Sequence, residues 1–487
     1  MSDKKVKEFL IMSESSANNT AAPSAAVPVK HPMLAMMGML IGGFVGMLSE
    51  TSLNIALPSL MVKLNVSVGT VQWLVTGYML IIGIVLPLSS LLTKWFSTRQ
   101  LIIFGLVDFM VGAIISAIAP SFTVLLIGRM IQGIATGLVL PLMFTVATLI
   151  FPPYKLGTAM GLIGLVIMFA PAIGPTLSGI ILGVLSWRWI FWLFVPFLLI
   201  GTFFAIKYLP NVNKLTKPRI DVFSILLSTI GFGGLVTAVS MASNYGWGSA
   251  TVLITLVVSL LVLVAYIYRQ LHSNAPILNF HVFERPNFRI GAILVMLDFG
   301  IILSSMYLLP MFWQNGLAIA VALTGVVMLP GGVVNAIFSA ISGRIYDRFG
   351  ARLLALLGFL IVIIGVVMLL FTTSHSAVWY VILAHIVIMI GAPLAMSPTQ
   401  TFGLNALDAH TAGDGSTIMN TFQQIIGAIS TAVATSLLGL GQHASSAPLN
   451  SQNAFTNGVH FGLFFPLILA IVAFLLSFTI NDKTETK

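Results

Sequence analysis

The chain has 487 residues, of which 58% are hydrophobic and only 7% are charged. Soluble proteins average about 45–50% apolar and ~25% charged residues, so this composition excludes an ordinary soluble domain and indicates a polytopic membrane protein. The absence of cysteine excludes disulfides, thiolate metal sites and cysteine nucleophiles. The net charge of +9 raises the question of nucleic-acid binding, which depends on where the basic residues lie.

The chain begins with a polar stretch and continues as a series of apolar segments. No short apolar core with a small-residue cleavage site precedes Met33, so residues 1–33 are predicted to be a cytoplasmic tail rather than a signal peptide. About 20 apolar residues cross a bilayer as a helix, and fourteen segments meet that length. They are 34–58, 70–92, 100–119, 122–149, 156–183, 187–209, 221–243, 250–269, 287–315, 319–343, 351–373, 377–401, 411–438 and 457–480.

The positions of lysine and arginine predict the orientation of these spans. With the N-terminus inside, all but three of the 22 basic residues fall on the cytoplasmic side. The exceptions are Lys63 and Arg188, which face outward, and Arg129, which lies within a span. The basic excess is therefore a topology signal, and we predict no nucleic-acid partner.

Two related turns indicate that the chain contains a repeat. "GRIYDRFGAR" (343–352) follows the tenth span, and "SLLTKWFSTR" (90–99) follows the second, 253 residues earlier. In the later copy Gly343 and Gly350 permit tight helix ends, while Asp347 and the arginines can tie neighbouring helix ends together. Equivalent turns placed two spans into each half suggest a duplicated bundle, as in many transporters.

The later turn resembles the loop signature G-x-L-a-D-R-x-G-x-R of the major facilitator superfamily. The earlier copy departs from that signature at Ser90, Lys94 and Ser97, where the family has Gly, Asp and Gly. This departure implies that the gate of the N-terminal half depends on other contacts. In the family this loop supports gating, and the resemblance assigns that role to Gly343, Asp347, Arg348 and Gly350.

Four further stretches narrow the resemblance. "GRMIQGIATGLVLP" (128–141) is similar to the fourth-helix motif, with Arg129 as its signature residue, and "APAIGPTLSG" (170–179) is similar to the fifth-helix antiporter motif. "SETSLNIALP" (49–58) resembles the first-helix motif of fourteen-helix drug:proton antiporters, in which Asp is commoner than the Glu found here. "NTFQQIIGA" (420–428) resembles the penultimate helix of that group. By these motifs the chain resembles multidrug and lincomycin-type exporters, in which Glu in the first helix is usual.

The resemblance implies an all-α membrane protein with the major facilitator fold, in which two six-helix halves are separated by two inserted helices at about 221–269. The N-terminal tail, first bundle, linker with inserted spans, second bundle and C-terminal tail are predicted at 1–33, 34–209, 210–286, 287–480 and 481–487. It also implies a bacterial cytoplasmic (inner) membrane location with both termini cytoplasmic.

Charged residues within spans are costly and usually face the bundle interior. Helix rise places Glu50 about 6 Å and Arg129 about 10 Å from the outer membrane surface, within side-chain reach, and Asp298 near the midplane. We predict that Glu50 binds a proton when its site faces outward and releases it inward, with Arg129 or a cationic substrate competing for the anion. The alternative is a fixed Glu50–Arg129 pair that only holds two helices together.

Three other titratable residues lie within spans. Asp298 is either a second protonation site, or the anionic contact for a cationic drug, or a hydrogen-bonded polar residue at a helix contact, and the sequence leaves these open. Asp108 lies in the third span, which is often peripheral in this superfamily, so a structural role is favoured. His385 has a side chain suited to proton transfer, but a lone helical histidine more often serves packing or hydrogen bonding.

The sequence also suggests a hinge and a substrate cavity. Pro171 and Pro175 each remove a backbone donor and bend the fifth span, and Gly174 permits close helix approach, although an ordinary kinked helix would look the same. The 23 methionines and 33 phenylalanines suit promiscuous binding of flat apolar molecules. The predicted cavity residues are Trp73, Tyr78, Tyr307, Trp313, Asn420 and Gln424.

The sequence carries no Walker-type motif for ATP, no H-E-x-x-H, no clustered metal ligands and no nucleophile elbow. We therefore predict a non-enzymatic exporter without cofactors that uses protons as its coupling ion. Its partners would be drug-like small molecules and the lipid bilayer, and we expect a monomer. Two alternatives stay open, namely a dedicated exporter of an endogenous metabolite, lipid or antibiotic, and a non-transporting membrane sensor.

Overall fold

The computed structural model describes residues 29–481 except 152, 213–214, 216–220, 274–275, 408–410 and 450. This part of the chain is helical, with a non-helical Gly350 dividing the continuous run Val321–Leu370 into two helices. The long helices are α1 (Pro32–Lys63), α2 (Trp73–Trp95), α3 (Thr98–Ile118), α4 (Phe122–Ile150), α5 (Pro153–Val184), α6 (Arg188–Tyr208), α7 (Val222–Tyr245), α8 (Ala250–Leu271), α9 (Pro286–Met311), α10 (321–349), α11 (351–370), α12 (Val378–Asn405), α13 (Ala412–Ala444) and α14 (Gln452–Ser477). Short helical segments lie at Val68–Val71, Phe280–Glu284 and Phe312–Gly316.

Each predicted span overlaps one of these helices and differs from it only at the ends. Thirteen of the helices are long and apolar enough to cross a membrane. The other helix, α5, has 32 residues, and several of its side chains lie outside the described part of the structure. The all-helical fold with fourteen spans is therefore confirmed.

Local sequence explains several helix starts. Ser97 and Gln100 form a capping box at the start of α3, where the Ser97 side chain accepts from the Gln100 amide and the Gln100 side chain accepts from the Ser97 amide. Such reciprocal bonds satisfy two amides that the first helical turn leaves without partners. Ser97, which departs from the family's glycine, thus serves as a helix cap.

The start of α7 is fixed by a polar cluster. The Asp221 carboxylate accepts from the Ser224 amide and forms an ion pair with Arg269 at 3.0 Å, near the end of α8. The hydrogen bond from Arg269 lowers the pKa of Asp221 to about 2. Gln270 then accepts from the amides of Ile277 and Leu278, which joins the end of α8 to the segment leading into α9.

The helices form two bundles, α1–α6 and α9–α14. The bundles meet where α5 packs against α10 and where α2 packs against α13. The inserted helices α7 and α8 pack against each other, and α7 lies against both α2 and α13. Phe232 of α7 contacts Phe422 of α13 edge to face at 5.7 Å, so aromatic packing attaches the insertion to the C-terminal bundle.

The two membrane faces are named by the chain ends. The terminal face is the one at which α1 begins and α14 ends, and the opposite face is the one at which α1 ends. Because consecutive spans alternate in direction, the Gly350 junction between α10 and α11 lies at the terminal face. Gly350 has φ 75° and ψ 178°, a region that is essentially restricted to glycine.

We predict that Gly350→Ala lowers the thermal unfolding midpoint of the purified protein in detergent. A side chain in this backbone region costs about 1–3 kcal/mol. Gly343→Ala is the matched control, because an added Cβ there meets nothing within 4 Å. An unchanged midpoint for Gly350→Ala would contradict the strained junction.

Candidate functional site

A cavity lies between the two bundles. Helices α1, α2, α4 and α5 form one wall, and α9, α10, α12 and α13 form the other. Its apolar lining includes Met47, Leu86, Leu140, Phe144, Ile167, Phe299, Ile302, Leu303, Met306, Met328, Met389 and Met396. Its polar lining is Glu50, Thr51, Asn335, Ser339, His385, Ser397, Asn420, Gln423 and Gln424.

The α5 prolines explain how α1 is held at this cavity. Pro175 has no amide hydrogen, so the carbonyl of Pro171, four residues earlier, loses its helical donor. The Thr51 hydroxyl of α1 donates to that carbonyl at 3.0 Å. Gly174 makes the approach possible, because a Cβ there would lie 2.3 Å from the Thr51 hydroxyl oxygen. The predicted hinge segment therefore contacts α1 beside Glu50.

Glu50 is buried, with 1% of its surface exposed, and lies in the cavity wall. The Gln424 side chain, from the other bundle, is within hydrogen-bonding reach of the Glu50 carboxyl group. The second carboxyl oxygen, Oε2, has no hydrogen-bond partner among the described residues. Glu50 thus sits at the interface of the two halves with unused hydrogen-bonding capacity.

Arg129 is fully buried and is held by neutral groups. Its Nε donates to the Leu74 carbonyl at 3.1 Å, and its Nη1 donates to Gln132 at 2.8 Å and to the Ser49 hydroxyl. Its guanidinium lies 4.0 Å above the ring centre of Tyr78. Within the described residues no ion pair joins Arg129 to Glu50, so the fixed pair considered from the sequence is absent. The two charges act on each other through space.

The six predicted cavity residues separate into two groups. Asn420 and Gln424 line the cavity, whereas Trp73, Tyr78, Tyr307 and Trp313 are not among its lining residues. Tyr78 instead donates to the Gly46 carbonyl at 2.8 Å and lies 2.7 Å from the Thr136 hydroxyl. These contacts turn its ring towards Arg129, where it supports the arginine.

Asp298 and Asp108 occupy different environments. Asp298 of α9 is fully buried, neither of its oxygens has a partner among the described residues, and it precedes the cavity-lining Phe299 without lining the cavity itself. Asp108 of α3 is partly buried in a shallow groove formed by α3 residues alone, such as Phe104. That position lies away from the cavity.

Sequence reasoning missed several cavity residues. Asn335, His385 and Gln423 all line the cavity, whereas the sequence favours a packing or hydrogen-bonding role for His385. The available signal was a polar side chain in the middle of an apolar span. That signal also marks Asp108, which lies elsewhere, so it does not identify a cavity residue without the packing of the helices.

The contact between the bundles is closest near the opposite face. The Thr176 hydroxyl of α5 donates to the Gly325 carbonyl of α10 at 2.9 Å. A Cβ on Gly179 would lie 2.7 Å from the Gly325 Cα, so the two backbones touch here. Gln314 also donates to the Ile55 carbonyl at 3.0 Å. The cavity lining extends from this contact towards the terminal face, as far as Ser339 and Ser397.

The predicted gating loop lies at the terminal face. Gly350 forms the helix junction described above, Arg348 is exposed, and Gly343 has open space around it. The side chain of Asp347 lies outside the described part of the structure. The gating role of these four residues stays a prediction.

Two six-helix bundles that cross the membrane and enclose a cavity at their interface are the architecture of secondary transporters. The fold and the site therefore define a membrane transport protein.

Comparison with known proteins identifies the family. The model of the Major Facilitator Superfamily matches residues 39–431. Lincomycin resistance protein LmrB of Listeria monocytogenes is 45% identical over 93% of this chain and 97% of its own length. Lincomycin resistance protein LmrB of Bacillus subtilis is 46% identical over 92% of this chain and 95% of its own length. The chain belongs to the Major Facilitator Superfamily, and the resemblance to lincomycin-type exporters is confirmed.

A solved structure supports the fold. The xylose transporter XylE from E. coli, in a partially occluded inward open conformation, matches with a TM-score of 0.61 at 16% identity, covering 94% of this chain and 99% of that one. At this identity the likeness shows the fold alone.

We predict that Gly325→Val opens the contact between α5 and α10. Its Cβ would lie 2.8 Å from the Pro175 carbonyl oxygen, and overpacking of this kind costs about 1–3 kcal/mol. The chain has no cysteine, so a single Met306→Cys reports access to the cavity. A membrane-impermeant maleimide added at the opposite face should label it faster in Gly325→Val.

Gly439→Val, where an added Cβ meets nothing within 4 Å, is the control for that labelling. Equal labelling rates in Gly325→Val, Gly439→Val and the parent would show that the glycine contact does not close this face.

Proposed function

We propose that the protein is a proton-coupled exporter of amphipathic, often cationic drugs or antibiotics that works by alternating access. The observation that carries the proposal is the buried Glu50, which lies in the cavity between the halves with one carboxyl oxygen unpaired. A buried anion without a contacting cation is costly. Either a proton or a cationic substrate group can neutralise it, and both cannot do so fully at once. This competition is the physical basis for exchange.

Arg129 sets the electrostatic background for that exchange. Because neutral oxygens and the Tyr78 ring hold it, it keeps its position whether or not Glu50 is protonated. Its charge favours the ionised carboxylate at a distance and so assists proton release. Arg129 would therefore act as a positioning and tuning residue, with Glu50 as the proton carrier.

The hinge segment of α5 connects the Glu50 site to the contact between the two bundles. Thr51, next to Glu50, is hydrogen-bonded to the Pro171 carbonyl, and Thr176 on the same helix forms the contact with α10. A change at Glu50 that shifts α1 would thus reach the contact that closes the opposite face. Rocking of one bundle against the other around such a site is the usual form of alternating access.

The orientation follows from the basic residues. The excess of lysine and arginine at the terminal face favours a cytoplasmic location for both termini in a bacterial cytoplasmic membrane. With this orientation, the cavity extends towards the cytoplasm while the α5–α10 contact closes the outer side. The structure would then represent an inward-facing state.

The substrate class is suggested by the relatives and by the cavity lining. Two relatives that cover nearly the whole chain are named for lincomycin resistance. The lining combines one carboxylate with amide and hydroxyl groups and many methionines, which suits amphipathic molecules of varied shape. A dedicated metabolite or lipid exporter would differ in having a narrow substrate range, and a sensor would show no pH-driven flux.

We predict that Glu50→Gln abolishes both lincomycin-induced proton release from the purified protein and gradient-driven transport in proteoliposomes. Glutamine keeps the shape of the side chain but cannot exchange a proton. Counterflow of lincomycin, which needs no net proton movement, should be retained. Asp108→Asn is the matched control, since it makes the same chemical change away from the cavity and should leave proton release intact.

The same assay separates the alternatives. Proton release that survives in Glu50→Gln and disappears in Asp298→Asn would move the coupling site to α9. Absence of flux from the parent with lincomycin and with a broad drug panel would overturn the proposed exporter function.

A further inference from the structure

His385 of α12 is a buried cavity residue with unused hydrogen-bonding capacity. Only 2% of its surface is exposed, it lines the cavity, and its Nδ1 has no hydrogen-bond partner among the described residues. Imidazole always carries polar nitrogens that act as donor or acceptor. Because Nδ1 packs against Gly331 of α10, Nε2 is the ring nitrogen left to hydrogen-bond to a molecule in the cavity.

The ring is held in place by two neighbours in its own bundle. Trp313, just after α9, contacts it edge to face at 5.8 Å. Gly331 of α10 lies against the ring so closely that a Cβ there would be 2.4 Å from Nδ1. Because α10 and the segment that follows α9 both contact the ring, the imidazole is a fixed feature of the C-terminal wall rather than a mobile side chain.

Other unpaired groups line the same cavity. Nε2 of Gln423 and Oε1 of Gln424 lack partners among the described residues, and both side chains are buried. Together with His385 they present neutral donors and acceptors, in contrast to the single carboxylate of Glu50. A site built to hydrogen-bond a substrate discriminates strongly against analogues that lack the matching groups.

We propose that His385 is a specificity-determining residue that hydrogen-bonds to hydroxyl or amide groups of the exported molecule. This assignment rests on the proposed exporter function and extends it. Glu50 would bind the cationic group of the substrate, and His385 would bind its uncharged polar groups. Gly331 and Trp313 act through His385 as positioning residues.

The test compares two probes in proteoliposomes containing the full-length protein. Lincomycin carries hydroxyl and amide groups, and tetraphenylphosphonium is a lipophilic cation without hydrogen-bonding groups. His385→Phe should raise the KM for lincomycin by about three- to tenfold, the loss expected for one hydrogen bond, with kcat retained. The KM for tetraphenylphosphonium should not change. His385→Gln, which restores a donor and an acceptor, should return the lincomycin KM towards that of the parent.

Gly331→Ala provides a second variant that leaves the histidine present. Its Cβ displaces the ring, so it should reproduce the selective rise in the lincomycin KM. Gly439→Ala, which meets nothing within 4 Å, is the matched glycine control and should behave like the parent. These substitutions keep the test decisive if His385→Phe does not fold.

An unchanged lincomycin KM in His385→Phe and Gly331→Ala would overturn the assignment. Equal losses for both probes, or a loss that His385→Gln does not reverse, would show a structural role instead and would also overturn it. If the parent transports lincomycin alone, the KM–kcat division and the glutamine rescue decide the question. Absence of flux with either probe would overturn the exporter function and this assignment with it.

Discussion

Hydrocarbon offers no hydrogen bonds, so polar groups within membrane spans must find their partners inside the protein. Arg129 meets the constraint in part: backbone, amide and hydroxyl oxygens accept from its Nε and Nη1 and an aromatic ring lies below it, while its Nη2 has no partner among the described residues. Among the buried side chains that have a polar atom without a partner in the described part of the structure, five line the cavity, namely Glu50, Ser339, His385, Gln423 and Gln424, and others, such as Asn54 and Asp298, lie outside it. For the five that line the cavity, a molecule bound there would supply the missing partners.

The fifth helix connects this cavity to the closed side of the protein. Its missing amide at Pro175 frees the Pro171 carbonyl for Thr51, and its next turn places Thr176 and Gly179 against Gly325. A single element therefore contacts the residue beside Glu50 and the opposite bundle. These two contacts explain Gly174, Pro175 and Gly179, since each contact requires either a free carbonyl or the absence of a side chain.

The two bundles differ in the contacts that support their corresponding turns. In the N-terminal half the expected signature turn is altered, and Ser97 caps α3. In the C-terminal half the corresponding turn keeps Gly350, whose backbone geometry ends α10 and starts α11. The inserted α7 lies over the place where α2 meets α13, and Phe232 attaches it to α13 through Phe422. The insertion thus borders the helix that supplies Gln423 and Gln424 to the cavity.

The sequence by itself determined the membrane class, the fourteen spans and the family, because these depend on apolar length and on local motifs. It also identified Glu50, Asn420 and Gln424, whose polarity or motif position marks them. It did not separate Tyr78 and Trp313, which pack behind the cavity, from His385 and Asn335, which line it. Only the tertiary structure decided this, because which side of a helix faces the cavity depends on how neighbouring helices pack, and several of these helices are apolar all round.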